Sequence, residues 1–238
     1  SHHQHQSVSA GAQSVNCHMP QTTYMQIDKR RDHSFSIPKP INSQLIGTPN
    51  ACNQCHQDKS IEWAIEKTTA WYPTLNTIDS NHFSYAFAGA RAADPAAGDK
   101  LSYIAQDINQ AAIIRAAALE RLASYPGRNG IVAIARATRN DDPMLRLGAI
   151  QGSAPYSVAD RWRMLEPLLT DSVLMVRSQA AAALAGFWPE LTPQQQQTLT
   201  KPLAEYVNIL KFNGDRGFAR TNLGHLYANQ GINKQAIA

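Results

Sequence analysis

No run of about 18 consecutive apolar residues occurs in this 238-residue chain, so no segment reads as a membrane-spanning helix. Cysteine is scarce. Cys17, Cys52 and Cys55 are the only three, too few for a disulfide framework and odd in number. Charge is thin as well, with a net +4, and apart from Lys29-Arg30-Arg31 the basic residues are scattered. That pattern predicts no nucleic-acid interface. Neither a Gly-x-Gly-x-x-Gly loop nor a Walker loop is present to cradle phosphates. Gly-x-Ser-x-Gly and His-Glu-x-x-His are also missing, and the acidic residues form no evident catalytic pair, which removes the familiar hydrolase signatures. Large apolar side chains are few in the first sixty residues, where Pro20, Pro38, Pro40 and Pro49 also interrupt any long helix.

What is present divides in two. The first sixty residues hold all three cysteines and six of the eight histidines: His2, His3, His5, His18, His33 and His56. Such a segment has too little apolar surface to offset its own ordering entropy. Something other than side-chain packing must hold it together, and a metal or a large apolar cofactor is the natural candidate. From about residue 61 the chain reads as helical. Ser60 precedes Ile61-Glu62-Trp63 as a cap-like residue with acid in the first turn.

Cys52-Asn53-Gln54-Cys55-His56 is the most informative string. Cys-x-x-Cys-His is the attachment pattern of a c-type haem. Two thiols add across the porphyrin vinyl groups, and the adjacent imidazole ligates the iron. Two rivals stand beside it: a redox-active thiol pair, which needs a βαβ context absent here, and a zinc site built from Cys17, His18, Cys52 and Cys55. Ser14-Val15-Asn16-Cys17-His18 repeats the pattern with serine for the first cysteine. It predicts a second haem held by one thioether through Cys17, with His18 as ligand; a vestigial site with a free Cys17 is the alternative.

Further along, Arg115, Arg146 and Arg177 recur every 31 residues, each six positions after Asn109, Asn140 or Asp171 and each followed by small residues. One helix pair per period is the signature of an α-solenoid. The polar residue is expected to cap the incoming helix, and the arginine to bridge neighbouring repeats through carbonyls or an acidic cap. Residues 107–188 resemble short bacterial HEAT-like repeats. Asn222-Leu223-Gly224-His225-Leu226-Tyr227, followed by Ala236, resembles the opening of a tetratricopeptide repeat, with Arg220 in place of its usual Trp. The repeat stops partway through its second helix, as expected of a fragment of a longer protein.

Taken together, Gly11 to Pro20, Arg30-Arg31-Asp32-His33-Ser34-Phe35 and Gly47 to His56 resemble a family of multihaem cytochromes c that join paired Cys-x-x-Cys-His motifs to helical repeats. The resemblance implies bis-histidine haems and an exported, periplasmic or extracellular, bacterial electron carrier rather than a catalyst; Ser14 departs from its pattern. Distal ligands are sought among the remaining histidines. His33 is the first choice, with Asp32 to orient it. One of His2, His3 and His5 is a second source, represented by His3. His82 is a third, competing with an ordinary capping role, while His225 reads as structural or exposed. Met19 follows a proximal histidine directly and is poorly placed to reach the opposite side of the same iron.

The expected fold is mainly α. A loop-rich haem-binding lobe (1–60) and connecting helices (61–105) precede a HEAT-like α-solenoid (106–212) and a truncated tetratricopeptide-like helix pair (213–238). The expected cofactor is haem c and the expected partner a redox protein or neighbouring cytochrome. Two further functions stay open: a haem enzyme subunit with an open axial site acting on peroxide or nitrogen oxides, and a zinc-stapled interaction scaffold.

Overall fold

The structure, a computed structural model, describes residues 3–236, so His2 lies outside the described residues. The chain is mainly helical, with one two-stranded sheet among the described residues. It divides into two compact units, one ending at Ser80 and the other beginning at Asn81.

In the first unit the elements are short. Helix α1 (Ser14–His18) leads into an antiparallel hairpin of β1 (Gln21–Tyr24) and β2 (Asp28–Arg31), followed by α2 (Ile41–Ile46), α3 (Ala51–Cys55) and α4 (Ile61–Trp71). Sequence reasoning missed the hairpin. Its strands are polar and exposed, with no apolar alternation to mark them. Its turn places Met25 and Gln26 at positive φ, where Asn and Gly usually give the signal. The Ser60 cap is present: its Oγ accepts from the Trp63 amide at 3.2 Å. Among the described residues of this unit, Pro40, Ser43, Ala64 and Thr68 are buried, none of them a large hydrophobic side chain. Polar ties serve instead. Asn76 donates from Nδ2 to Thr68 Oγ1 and Thr69 Oγ1, both at 2.9 Å, and accepts from the Ile41 amide at 3.3 Å.

The second unit comprises α5 (Phe83–Arg91), α6 (Ala97–Gln106), α7 (Ala112–Arg121), α8 (Arg128–Ala137), α9 (Pro143–Gly152), α10 (Val158–Leu165), α11 (Leu174–Ala185), α12 (Pro193–Phe212), α13 (Gly217–Asn229) and α14 (Asn233–Ala236). Its core is conventional: Leu101, Leu119, Leu122, Ile134, Leu145, Leu165, Leu184 and Leu199 are fully buried. The 31-residue period is carried by α7, α9 and α11, each with its arginine near the start. Small residues let these helices approach closely. A Cβ on Gly148 would stand 2.7 Å from the Ala116 carbonyl oxygen, and one on Gly152 would collide with that of Leu119.

Arg146 bridges successive periods. It donates to the Asn140 and Asp141 carbonyls at 2.7 and 2.9 Å, and from Nη2 to Asp171 Oδ1 at 3.0 Å. Its Nε lies 2.7 Å from Asp171 Oδ2, although the N–H is not directed at that oxygen. Arg177 repeats the design with the Asp171 and Ser172 carbonyls and Glu205. The periodic polar residues do not cap the helices as expected. Asn140 and Asp171 accept from the amides two residues on, at 3.0 and 2.8 Å, and so shape the turn before the helix; Asp142 is the N-cap of α9. Among the described residues no helix is long and apolar enough to cross a membrane.

Candidate functional site

The two sequence motifs fold alike. Each makes a helix of five residues with the motif cysteine inside it, and each histidine comes at the C-terminal end: His18 as the last residue of α1, His56 directly after α3. The two helices pack against each other.

Three side chains position α1 and its histidine. Arg31, at the end of β2, donates to the Val15 and Met19 carbonyls and to Asn16 Oδ1, all at 3.1 Å. The Met19 carbonyl just past the helix gains a donor this way, and the Val15 carbonyl, which already accepts from the Met19 amide at 3.0 Å, gains a second. Phe35 stacks on the His18 ring at 5.0 Å and 11°. It holds φ of 50°, a strained conformation for a bulky residue. That strain points the next carbonyl, Ser36, at the imidazole, whose Nδ1–H donates to it at 2.9 Å. A ring held in this tautomer offers Nε2 as its lone-pair nitrogen, the arrangement that ligating histidines use.

Helix α3 is fixed by asparagines. Asn50 caps it, accepting from the Asn53 amide at 3.1 Å and donating to Ser43 Oγ at 3.0 Å. Asn53 donates to the Lys59 carbonyl at 2.8 Å and folds the chain back after His56. The His56 ring sits 4.9 Å from Trp63 and 6.0 Å from His5.

Both motifs open on one largely apolar cavity of about 420 Å³, whose wall includes Cys17, His18, Cys52, Trp71, Tyr72 and Ile37. A smaller space of about 70 Å³ shares the walls Cys17, Cys52, His5 and Trp71 and adds Cys55 and His56. The larger space alone is within the range of ligand pockets. Burial pushes the Cys17 and Cys52 thiols above their ordinary range, and a neighbouring cysteine adds to the shift in each case. Cys55 is exposed.

The sequence-predicted residues divide accordingly. Cys17, His18, Cys52, Cys55, His56 and His3 are brought to these connected spaces, and Ser14 lines the larger one where a thiol of a complete motif would stand. His33 lies in an exposed turn and lines neither space. His82 belongs to the second unit, where it is the N-cap of α5: Nδ1 accepts from the Ser84 amide at 3.3 Å. His225 is exposed on α13.

Sequence reasoning did not single out His5 from its cluster, and it gave Trp71 and Tyr72 no part in a site. Both aromatic residues are part-exposed and wall the cavity. The legible signal was the place of Trp71 three residues after Thr68 on α4, with Tyr72 following directly at the helix end. Among the described residues no three His, Cys, Asp or Glu side chains converge to hold a metal ion. The Cys17, His18, Cys52 and Cys55 set is therefore not assembled as a four-ligand zinc site in this arrangement. No protein-family model, curated protein or solved structure matches the chain.

Proposed function

We propose that the chain is a c-type cytochrome that transfers electrons, with one haem at Cys52, Cys55 and His56 and a second at Cys17 and His18. One observation carries the reading. Among its described residues the first unit buries no large hydrophobic side chain, yet it surrounds an apolar cavity onto which thiols from both motifs open. The residues present fit the group on three counts: paired thiols beside an imidazole, aromatic walls at Trp71 and Tyr72, and an apolar space in place of a core.

A haem bound there supplies a one-electron couple at its iron. The protein's part is to hold and to tune. Cys52 and Cys55 anchor by two thioethers, each made by adding S–H across a vinyl group, and Cys17 by one. His18 and His56 present imidazoles whose directions are set by Ser36 and Phe35 in one case and by Trp63 in the other. The apolar walls lower the local dielectric and limit water at the site. In the second unit, the 31-residue helix pairs and the Arg146–Asp171 link support a HEAT-like α-solenoid, and α13 with α14 supports a tetratricopeptide-like pair. Such a surface suits a redox partner or neighbouring cytochrome. Covalent attachment takes place after export in bacteria, which points to a periplasmic or extracellular location.

Intact mass of the chain matured in a host with the attachment machinery tests the reading. Two added haems are expected, and a split, sharp c-type band on dithionite reduction. A chain with no added mass, free thiols and bound zinc would overturn it in favour of the interaction scaffold. Rapid carbon monoxide binding at every haem would favour the open-site enzyme.

A further inference from the structure

We propose that His5 is the sixth ligand of the iron held by His56, an assignment that rests on the cytochrome reading above. The His5 and His56 ring centres lie 6.0 Å apart, with the ring planes 28° from parallel. Two imidazoles bound to one metal from opposite sides, through bonds of about 2 Å, have centres about 6 Å apart. The two rings also border the same space that Cys52 and Cys55 line.

His5 has the environment of a residue kept for a ligand. Its Nδ1 is buried and has no hydrogen-bond partner, which costs free energy unless something else satisfies it. The backbone makes room for its ring. A Cβ at Gly11 would fall within contact-breaking distance of three His5 ring atoms, so only glycine is compatible with the ring in this position. The competing histidines are placed otherwise. His33 is in an exposed turn, and His82 uses Nδ1 to cap α5. His3 lines the larger space with His18 rather than the smaller one with His56.

The test uses the full chain with its haems attached. In H5A, the chain should gain one equivalent of bound carbon monoxide relative to wild type and show a high-spin ferric signal, with added imidazole restoring the low-spin spectrum. H3A and H33A should gain none at this haem. H5M guards against misfolding: a thioether in the same place should keep the haem closed to carbon monoxide and raise its reduction potential. G11A, which pushes the His5 ring aside, should reproduce part of the H5A signature. The proposal is overturned if H5A keeps its attached haem fully low-spin, or if H33A opens this haem instead. Failure of the underlying reading looks different: wild type itself would carry no covalent haem.

Discussion

Cys55 is exposed while Cys17 and Cys52 stand part-buried beside an apolar space, so three thiols in one unit differ in reactivity. In the haem-free chain at neutral pH, iodoacetamide should label Cys55 first and Cys17 and Cys52 several-fold more slowly, read by peptide mass mapping. The raised pKa values also have a stability consequence. A thiol that stays protonated longer in the fold than in the unfolded chain contributes stability below its unfolded value, about 8.5, and that contribution is lost as pH rises through the folded value. The thermal midpoint of the haem-free chain should therefore fall as pH rises above about 8.5, and Cys52→Ser should reduce the fall. The motif cysteines and histidines were legible in the sequence because their chemistry is written in adjacent positions. His5 was not, because its partner lies far along the chain and nothing local separates it from His3.

At the scale of single elements, α1 is too short to stand alone, and its end is held from outside by Arg31. Arg31→Ala should destabilise the first unit by about 1–3 kcal/mol and raise amide exchange in residues 14–19. Arg31→Lys should recover little, since one ammonium does not reproduce the fork. In the second unit, α7 and α9 meet backbone to backbone at Gly148. Gly148→Ala adds helix propensity yet forces these helices apart, so a net loss of about 1–3 kcal/mol is expected in urea denaturation. The helices themselves were readable from their apolar period and from caps such as Ser60. The hairpin was hidden because its strands are polar on both faces and its turn uses Met25 and Gln26. The misplaced caps have a related cause: Asn140 and Asp171 shape the turn two residues before the helix starts, and composition does not distinguish that role from capping.

Across the whole molecule, the break in composition near residue 60 was visible, and the compact unit runs on to Ser80 because α4 supplies a wall of the cavity. Packing alone gave no hint of that wall, since Trp71 and Tyr72 look like core residues until their exposure is seen. The two units differ in what stabilises them. One has almost no buried hydrophobic side chain; the other has a continuous core. Limited proteolysis of the haem-free chain should therefore cut before Ser80 and leave a fragment from about Asn81 onward, whereas the haem-loaded chain should resist cleavage there. In the second unit the Arg146–Asp171 pair is buried, with side-chain exposures of 11% and 7%. Asp171→Ala leaves a charge without its counterion and should cost about 3–5 kcal/mol, seen as a lower denaturation midpoint.

That pair also constrains how the chain tolerates change in length. Arg146 grips its own loop behind and the following loop ahead, so the α9 period is keyed to the α11 period at one point. A single residue inserted between Asp171 and Leu174 would slide the key out of its slot. Excision or duplication of a full 31-residue block would instead return a like arginine to a like loop, so whole-block changes should be tolerated where small insertions are not.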